Sequence, residues 1–226
     1  MDFDLIKDTV TLLEEFNLSN KNASYPSTID GFKAWVFDQE SQKQNYENMT
    51  ADTNWEGKEH GRSAESAITT LLLHLNRYAK SYSKSAISDS DFSTQEDFIY
   101  LINLKAFGAM SKIDLIKKNI HEKPVGILII NRLLKHGWIQ QTDSVQDKRI
   151  KLINITEKGL KVLENQMGKI RQATKIVSGN LYHSEKMELI RILNKLDQFH
   201  HPIYHKNIDS KDLIETVYKD FSFENN

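Results

Sequence analysis

Apolar residues fall at helical spacing along most of this chain, and the places where that spacing fails mark its turns and one hairpin. Leu5, Val10, Leu12, Leu13 and Phe16 give a partial helical face that Asn-, Ser- and Lys-rich residues then interrupt. Ser27-Thr28-Ile29-Asp30 has capping-box form just after Pro26, and Ile29, Phe32 and Val36 follow at i, i+3 and i+7. Residues 41–63 are polar and aperiodic apart from Tyr46, Met49, Ala51 and Trp55, which predicts a long loop. Ile68, Leu71, Leu72, Leu75, Tyr78, Ala79 and Tyr82 predict a long amphipathic helix from residue 64 to about 85.

The second half has a finer grain. Phe98, Ile99, Leu101, Ile102 and Leu104 predict a helix over Gln95–Phe107, with Gly108 as its stop. Ser111-Lys112-Ile113-Asp114 is another capping box and opens a helix of barely two turns through Lys118, with Ile113, Leu115 and Ile116 on its apolar face. Pro124 opens the next helix, which carries Ile129, Ile130 and Leu133 and stops at His136-Gly137. Residues 138–141 and 149–155 lose helical period and gain branched side chains on either side of a polar stretch, the pattern of a two-stranded hairpin. Thr156 caps a long helix marked by Leu160, Leu163, Met167 and Ile170. Met187, Ile190, Leu193 and Leu196 mark another that should end at His201-Pro202, and Leu213, Val217 and Tyr218 a last short one.

Composition narrows the class. Only 9 Gly and 3 Pro in 226 residues exclude a loop-rich chain, and 39% hydrophobic with 27% charged residues is the make-up of an ordinary globular protein. The absence of cysteine removes disulfides, thiolate metal sites, cysteine nucleophiles and thiol-based sensing. The opening Met1-Asp2-Phe3-Asp4 is acidic where a secretory leader is basic, and the longest apolar stretch, Val125 to Ile130, is far short of the ~18 residues of a membrane span. A cytoplasmic protein without membrane contact is expected.

The net charge of −1 conceals a division: residues 1–60 carry 5 Lys/Arg against 12 Asp/Glu, while residues 103–158 carry 11 against 5. The basic stretch coincides with short helix, turn, second helix and hairpin, the order of a winged helix-turn-helix, which lays its second helix in the DNA major groove. Lys112, Lys117, Lys118, Lys123, Arg132, Lys135, Lys148, Arg149 and Lys151 all lie there, where neutralised phosphates would supply sequence-independent affinity. A solvated lysine surface on a core helix pair is the plainer reading of the same residues.

Leu133-Leu134-Lys135-His136-Gly137-Trp138-Ile139, then Asp143, Asp147-Lys148-Arg149 and finally the run from Leu152 through Thr156-Glu157-Lys158-Gly159 resemble the wing signature of MarR-type regulators. The resemblance covers about residues 64–199, and its most selective part is D-x-R followed by a strand ending in T-x-x-G. It implies a mainly α fold: a winged helix-turn-helix with a two-stranded β wing and long flanking helices that dimerise. It implies double-stranded DNA and a second copy as partners, no cofactor, and a role in transcription. It also implies that a small molecule could release the DNA, although Tyr78, Tyr82 and His74 are more simply core residues than an effector site. Residues 1–60 lie outside the family core as an acidic helical extension, followed by a winged-helix domain over 61–200 and a tail with a short helix over 201–226.

On this resemblance Arg149 would enter a narrow minor groove with Asp147 orienting it, and Lys148 would touch phosphate. Asp147 and Arg149 could equally pair across a hairpin for only ~0–1 kcal/mol. Ser111 and Lys112 would meet phosphate near the short helix, and Lys123 and Arg132 add charge to the second. Counting back from Gly137, the base-facing positions fall on Pro124, Val125, Ile127 and Leu128, where the family usually has hydroxyls or arginine. Such side chains read only thymine methyls. Apolar residues there are also how a winged helix meets another protein, so a protein-binding module is the alternative.

Other signals are weaker. His200, His201 and His205 tempt a metal reading, but Pro202 should break the helix that would align them. No phosphate loop, H-E-x-x-H or G-x-S-x-G occurs, and an enzyme is not expected. The acidic extension is expected to wrap the dimerisation side, away from DNA.

Overall fold

The computed structural model describes residues 3–21, 23–48, 53–143 and 151–221. In chain order the elements are α1 (Phe3–Ser19), α2 (Ile29–Asn48), a 3-10 turn (Lys58–His60), α3 (Ala64–Ala86), α4 (Gln95–Phe107), β1 (Met110–Ser111), α5 (Lys112–Lys118), α6 (Lys123–His136), β2 (Ile139–Asp143), β3 (Lys151–Ile155), α7 (Glu157–Val177), α8 (His183–His205) and α9 (Leu213–Asp220). Among the described residues no helix is long and apolar enough to cross a membrane. The chain forms two compact units, one of Met1–Ala64 with Asn180–His201, the other of Glu65–Gly179 with Pro202–Asn226.

In the first unit Phe16 of α1 packs edge-on against Phe32 and tilted against Trp35 of α2, at ring separations of 5.6 and 5.5 Å. Thr28 caps α2 by accepting from the Gly31 amide at 3.2 Å. The helix then runs on through Asn48, beyond the loop expected from residue 41, because Glu, Gln and Lys propagate a helix without any apolar stripe to announce it. The extension is fastened to the start of α8: Phe37 meets Tyr182 at 4.3 Å, and buried Asp38 accepts from the Tyr25 hydroxyl at 2.6 Å and lies 3.5 Å from the Ser184 hydroxyl.

The second unit is a winged helix, and α3 through α7 follow the sequence reading closely. One strand was not legible. Met110–Ser111 pairs antiparallel with β3, giving a three-stranded sheet of order β1-β3-β2 in place of a simple hairpin. Its core joins Tyr100, Leu101, Leu115, Ile130, Leu133 and Trp138, all at 0–1% exposure.

Two glycine-related contacts fix the frame. A methyl group on Gly126 would stand 2.3 Å from Cγ1 of buried Ile116, so α5 and α6 cross as closely as they do only because position 126 has no side chain. At the other end of the wing, Thr156 accepts from the Gly159 amide at 3.0 Å and donates to the Gly137 carbonyl at 2.8 Å. A Cβ on Gly159 would lie 2.1 Å from the Trp138 carbonyl, which itself accepts from the Thr156 amide. The T-x-x-G signature is therefore a helix cap followed by a clearance.

The expected break at His201-Pro202 does not occur. α8 continues through Pro202 to His205, since a proline in the last turn forfeits a single intrahelical bond. His201 and His205 thus lie on one helix, which Pro202 does not interrupt. Among the described residues no three His, Cys, Asp or Glu side chains are grouped so as to hold a metal ion.

Candidate nucleic-acid interface

The pair α5–α6 is anchored from beneath. The turn between them contains Ile120 at φ +52° and His121, whose ring stacks on Tyr100 of α4 and whose Nδ1 lies 3.0 Å from the Tyr100 hydroxyl. His121 Nε2 is 3.5 Å from a Glu96 carboxylate oxygen, and Tyr204, from the last turn of α8, donates to the His121 carbonyl at 2.7 Å. Burial, then the charge of Glu96 and the neighbouring Tyr204, pushes the Tyr100 hydroxyl well above the ordinary phenol range, so it stays protonated.

Arg132 belongs to this anchorage. Its Nε and Nη2 donate to Oδ1 of fully buried Asp97 at 2.8 and 2.6 Å, and Nη2 also reaches the Thr94 hydroxyl at 3.1 Å. Asp97 in turn accepts from the Ser93 and Thr94 amides at 2.8 and 3.1 Å, closing the cap of α4. The sequence offers Arg132 as a DNA contact; the structure commits most of its guanidinium to tying α6 to α4.

Ser111 is likewise engaged. It caps α5, accepting from the Asp114 amide at 3.1 Å and donating to the Asp114 carboxylate at 2.6 Å. Lys112 beside it is half-buried and has no carboxylate partner among the described residues. Of the apolar positions on α6, Pro124, Val125 and Leu128 face outward, Leu128 at 68% exposure, while Ile127 is half-buried and packs against the core. Asp147, Lys148 and Arg149 lie outside the described residues.

The remaining lysines of α5, α6 and the wing base divide into two groups. Lys118 sits 3.6 Å over the Phe107 ring, Lys151 pairs with Asp143 at the base of the wing, and Lys158 donates to the His136 carbonyl at 2.8 Å. Lys112, Lys117, Lys123 and Lys135 have no such partner among the described residues. They stand at both ends of α6 and along α5.

One outward residue on α6 escaped the sequence reading. Asn131 is exposed and has no hydrogen-bond partner among the described residues. The signal was available: 124, 128, 131 and 135 follow the same helical period that defines the buried face, on the opposite side of the helix.

No family model matches the chain. The HTH-type transcriptional repressor NicR of Pseudomonas putida is 25% identical over 103 residues, 46% of this chain, and the chain spans 65% of that relative's length. Among solved structures, BpsR of Bordetella bronchiseptica, described with regulation of its DNA binding by 6-hydroxynicotinic acid, superposes with TM-score 0.55 at 22% identity over 60% of this chain and 96% of its own. A MarR variant from E. coli complexed with operator DNA gives 0.53 at 20% identity over 57% and 92%. The organohalide-sensing regulator RdhR in its 2,4-dichlorophenol-bound form gives 0.58 at 19% identity over 70% and 92%. The chain shares the winged-helix fold of MarR-type regulators.

Proposed function

We propose that this chain is a MarR-type transcription regulator: two copies bind duplex DNA, each with α6 in the major groove and the wing beside it, and neither acts as an enzyme. The observation that carries this reading is the outer face of α6. On an α5–α6 pair locked to the core by Gly126, Arg132 and His121, that face is left exposed, with Lys123 and Lys135 at its ends and without a partner among the described residues. Phosphates line both walls of a groove, so cations at the two ends of a helix lying in it would be neutralised there. The wing residues Lys148 and Arg149 would add contacts on the adjacent minor groove.

Dimerisation is supported by apolar faces that a single chain leaves open. On α3, Ile68, Leu71, Leu72, Leu75 and Tyr78 lie on one face and are 43–60% exposed; on α8, Met187, Ile190 and Leu193 are 41–50% exposed. A face of that size on a long helix is what a second copy would cover. The acidic extension, packed on the first half of α8 within its own unit, belongs to this side of the reading. An aromatic effector that weakens DNA binding, and action in the cytoplasm, complete the proposal by likeness to the regulators above.

The test is a titration of the DNA upstream of the protein's own gene at several salt concentrations, with wild type and the Lys148→Ala/Arg149→Ala variant. Wild type should lose affinity steeply with salt, and the variant's slope of log K against log salt should be shallower by about 2, at roughly 0.9 per phosphate contact. Exposed Val125 and Leu128 favour the second reading, a protein-binding helix; undetectable DNA binding, or binding indifferent to salt and to both substitutions, would decide for it.

A further inference from the structure

The outermost stripe of α6 is Pro124, Leu128, Asn131 and Lys135, spaced i, i+4, i+7 and i+11 and opposite the buried Gly126, Ile129, Ile130 and Leu133. Within it only Asn131 combines a donor and an acceptor. Its amide is exposed, and it makes no hydrogen bond among the described residues.

The chemistry of the four bases then discriminates. Guanine is read by arginine or lysine on O6 and N7; the sole arginine of α6, Arg132, is held by Asp97, and its two lysines, Lys123 and Lys135, stand at the helix ends, nearest the phosphates of the groove walls. Cytosine is read by a carboxylate accepting from N4, and α6 carries no Asp or Glu. Adenine presents N7 and N6–H on one edge, which a carboxamide matches with its own N–H and C=O. Thymine presents a methyl group, which an exposed Leu matches. Leu128 and Asn131 are three residues apart, a rise of about 4.5 Å, close to one base-pair step of about 3.4 Å.

Resting on the DNA-binding reading above, we infer that Asn131 is the principal base-reading side chain of α6. It reads an adenine through N6 and N7, while Leu128 covers a thymine methyl on a neighbouring base pair, so that each half-site is built around an A·T step. Lys123 and Lys135 hold phosphates on either side and contribute no sequence preference.

The test is selection of bound sequences from a random duplex library by the full-length protein, with wild type and Asn131→Ala compared. Asn131 is exposed and makes no hydrogen bond among the described residues, so unchanged thermal melting should accompany the substitution. Wild type should enrich a motif with an invariant A·T step in each half. Asn131→Ala should enrich the same motif with that adenine position relaxed, and its preference for A over G there, measured by competition, should fall from about 10- to 100-fold to near unity. An unchanged motif in the variant, or a G·C pair at the centre of the wild-type half-site, would overturn the assignment of Asn131 while leaving DNA binding intact. No enrichment by the wild type would overturn both readings.

Discussion

Position 126 shows how one residue can set the geometry of a helix pair. Ile116 is buried against it with its Cγ1, Cγ2 and Cδ1 atoms all within 3.0 Å of where a Cβ would stand, so no flexible end is free to yield. Gly126→Ala should therefore cost about 1–3 kcal/mol through overpacking, despite the better helix propensity of alanine, and chemical denaturation should show it as a lower midpoint. An unchanged or raised midpoint would mean that α5 and α6 can separate freely. Residue-scale function was legible only in part. Lysine density sets off residues 103–158, but nothing in the sequence near Arg132 announces Asp97, 35 positions earlier, as its partner. Of the apolar positions counted back from Gly137, Pro124, Val125 and Leu128 are exposed, while Ile127 is half-buried against the core, a contact that a count along the helix does not show.

At the scale of elements, the readable ones were those that bury a face within the chain or carry their own cap. Ser111 and Thr156 stand where the sequence placed them, each accepting from the amide three residues on. Thr156→Ala removes both that bond and the one to the Gly137 carbonyl, which joins the end of α6 to the start of α7 across the wing. It should lower stability by about 1–2 kcal/mol, and Thr156→Ser should recover most of the loss in thermal melting. Equal destabilisation by both would show that the hydroxyl is not what matters. Elements without an apolar stripe or cap of their own were missed. β1 is two residues whose strand character comes wholly from β3, the end of α2 has propensity without periodicity, and the last turn of α8 is held past Pro202 by Tyr204 on the turn before α6.

For the molecule as a whole, the sequence carries opposite charge on residues 1–60 and on residues 103–158, which is the arrangement expected if only one region meets a polyanion. The helices that the pattern marked as amphipathic, α3 and α8, keep much of their apolar faces open within one chain, so the pattern was correct and the surface it answers to lies on a second copy under the proposed reading. The central claim is that two copies hold two α6 helices on one duplex, with half-site centres about 10–10.5 base pairs apart. Sedimentation of the complex with the upstream DNA tests it most directly, using wild type and a Leu71→Glu/Leu72→Glu variant that charges the open face of α3. Wild type should sediment as two chains per duplex and the variant as free single chains with little DNA bound. One chain per duplex for the wild type, or a variant that still binds as a pair, would contradict it.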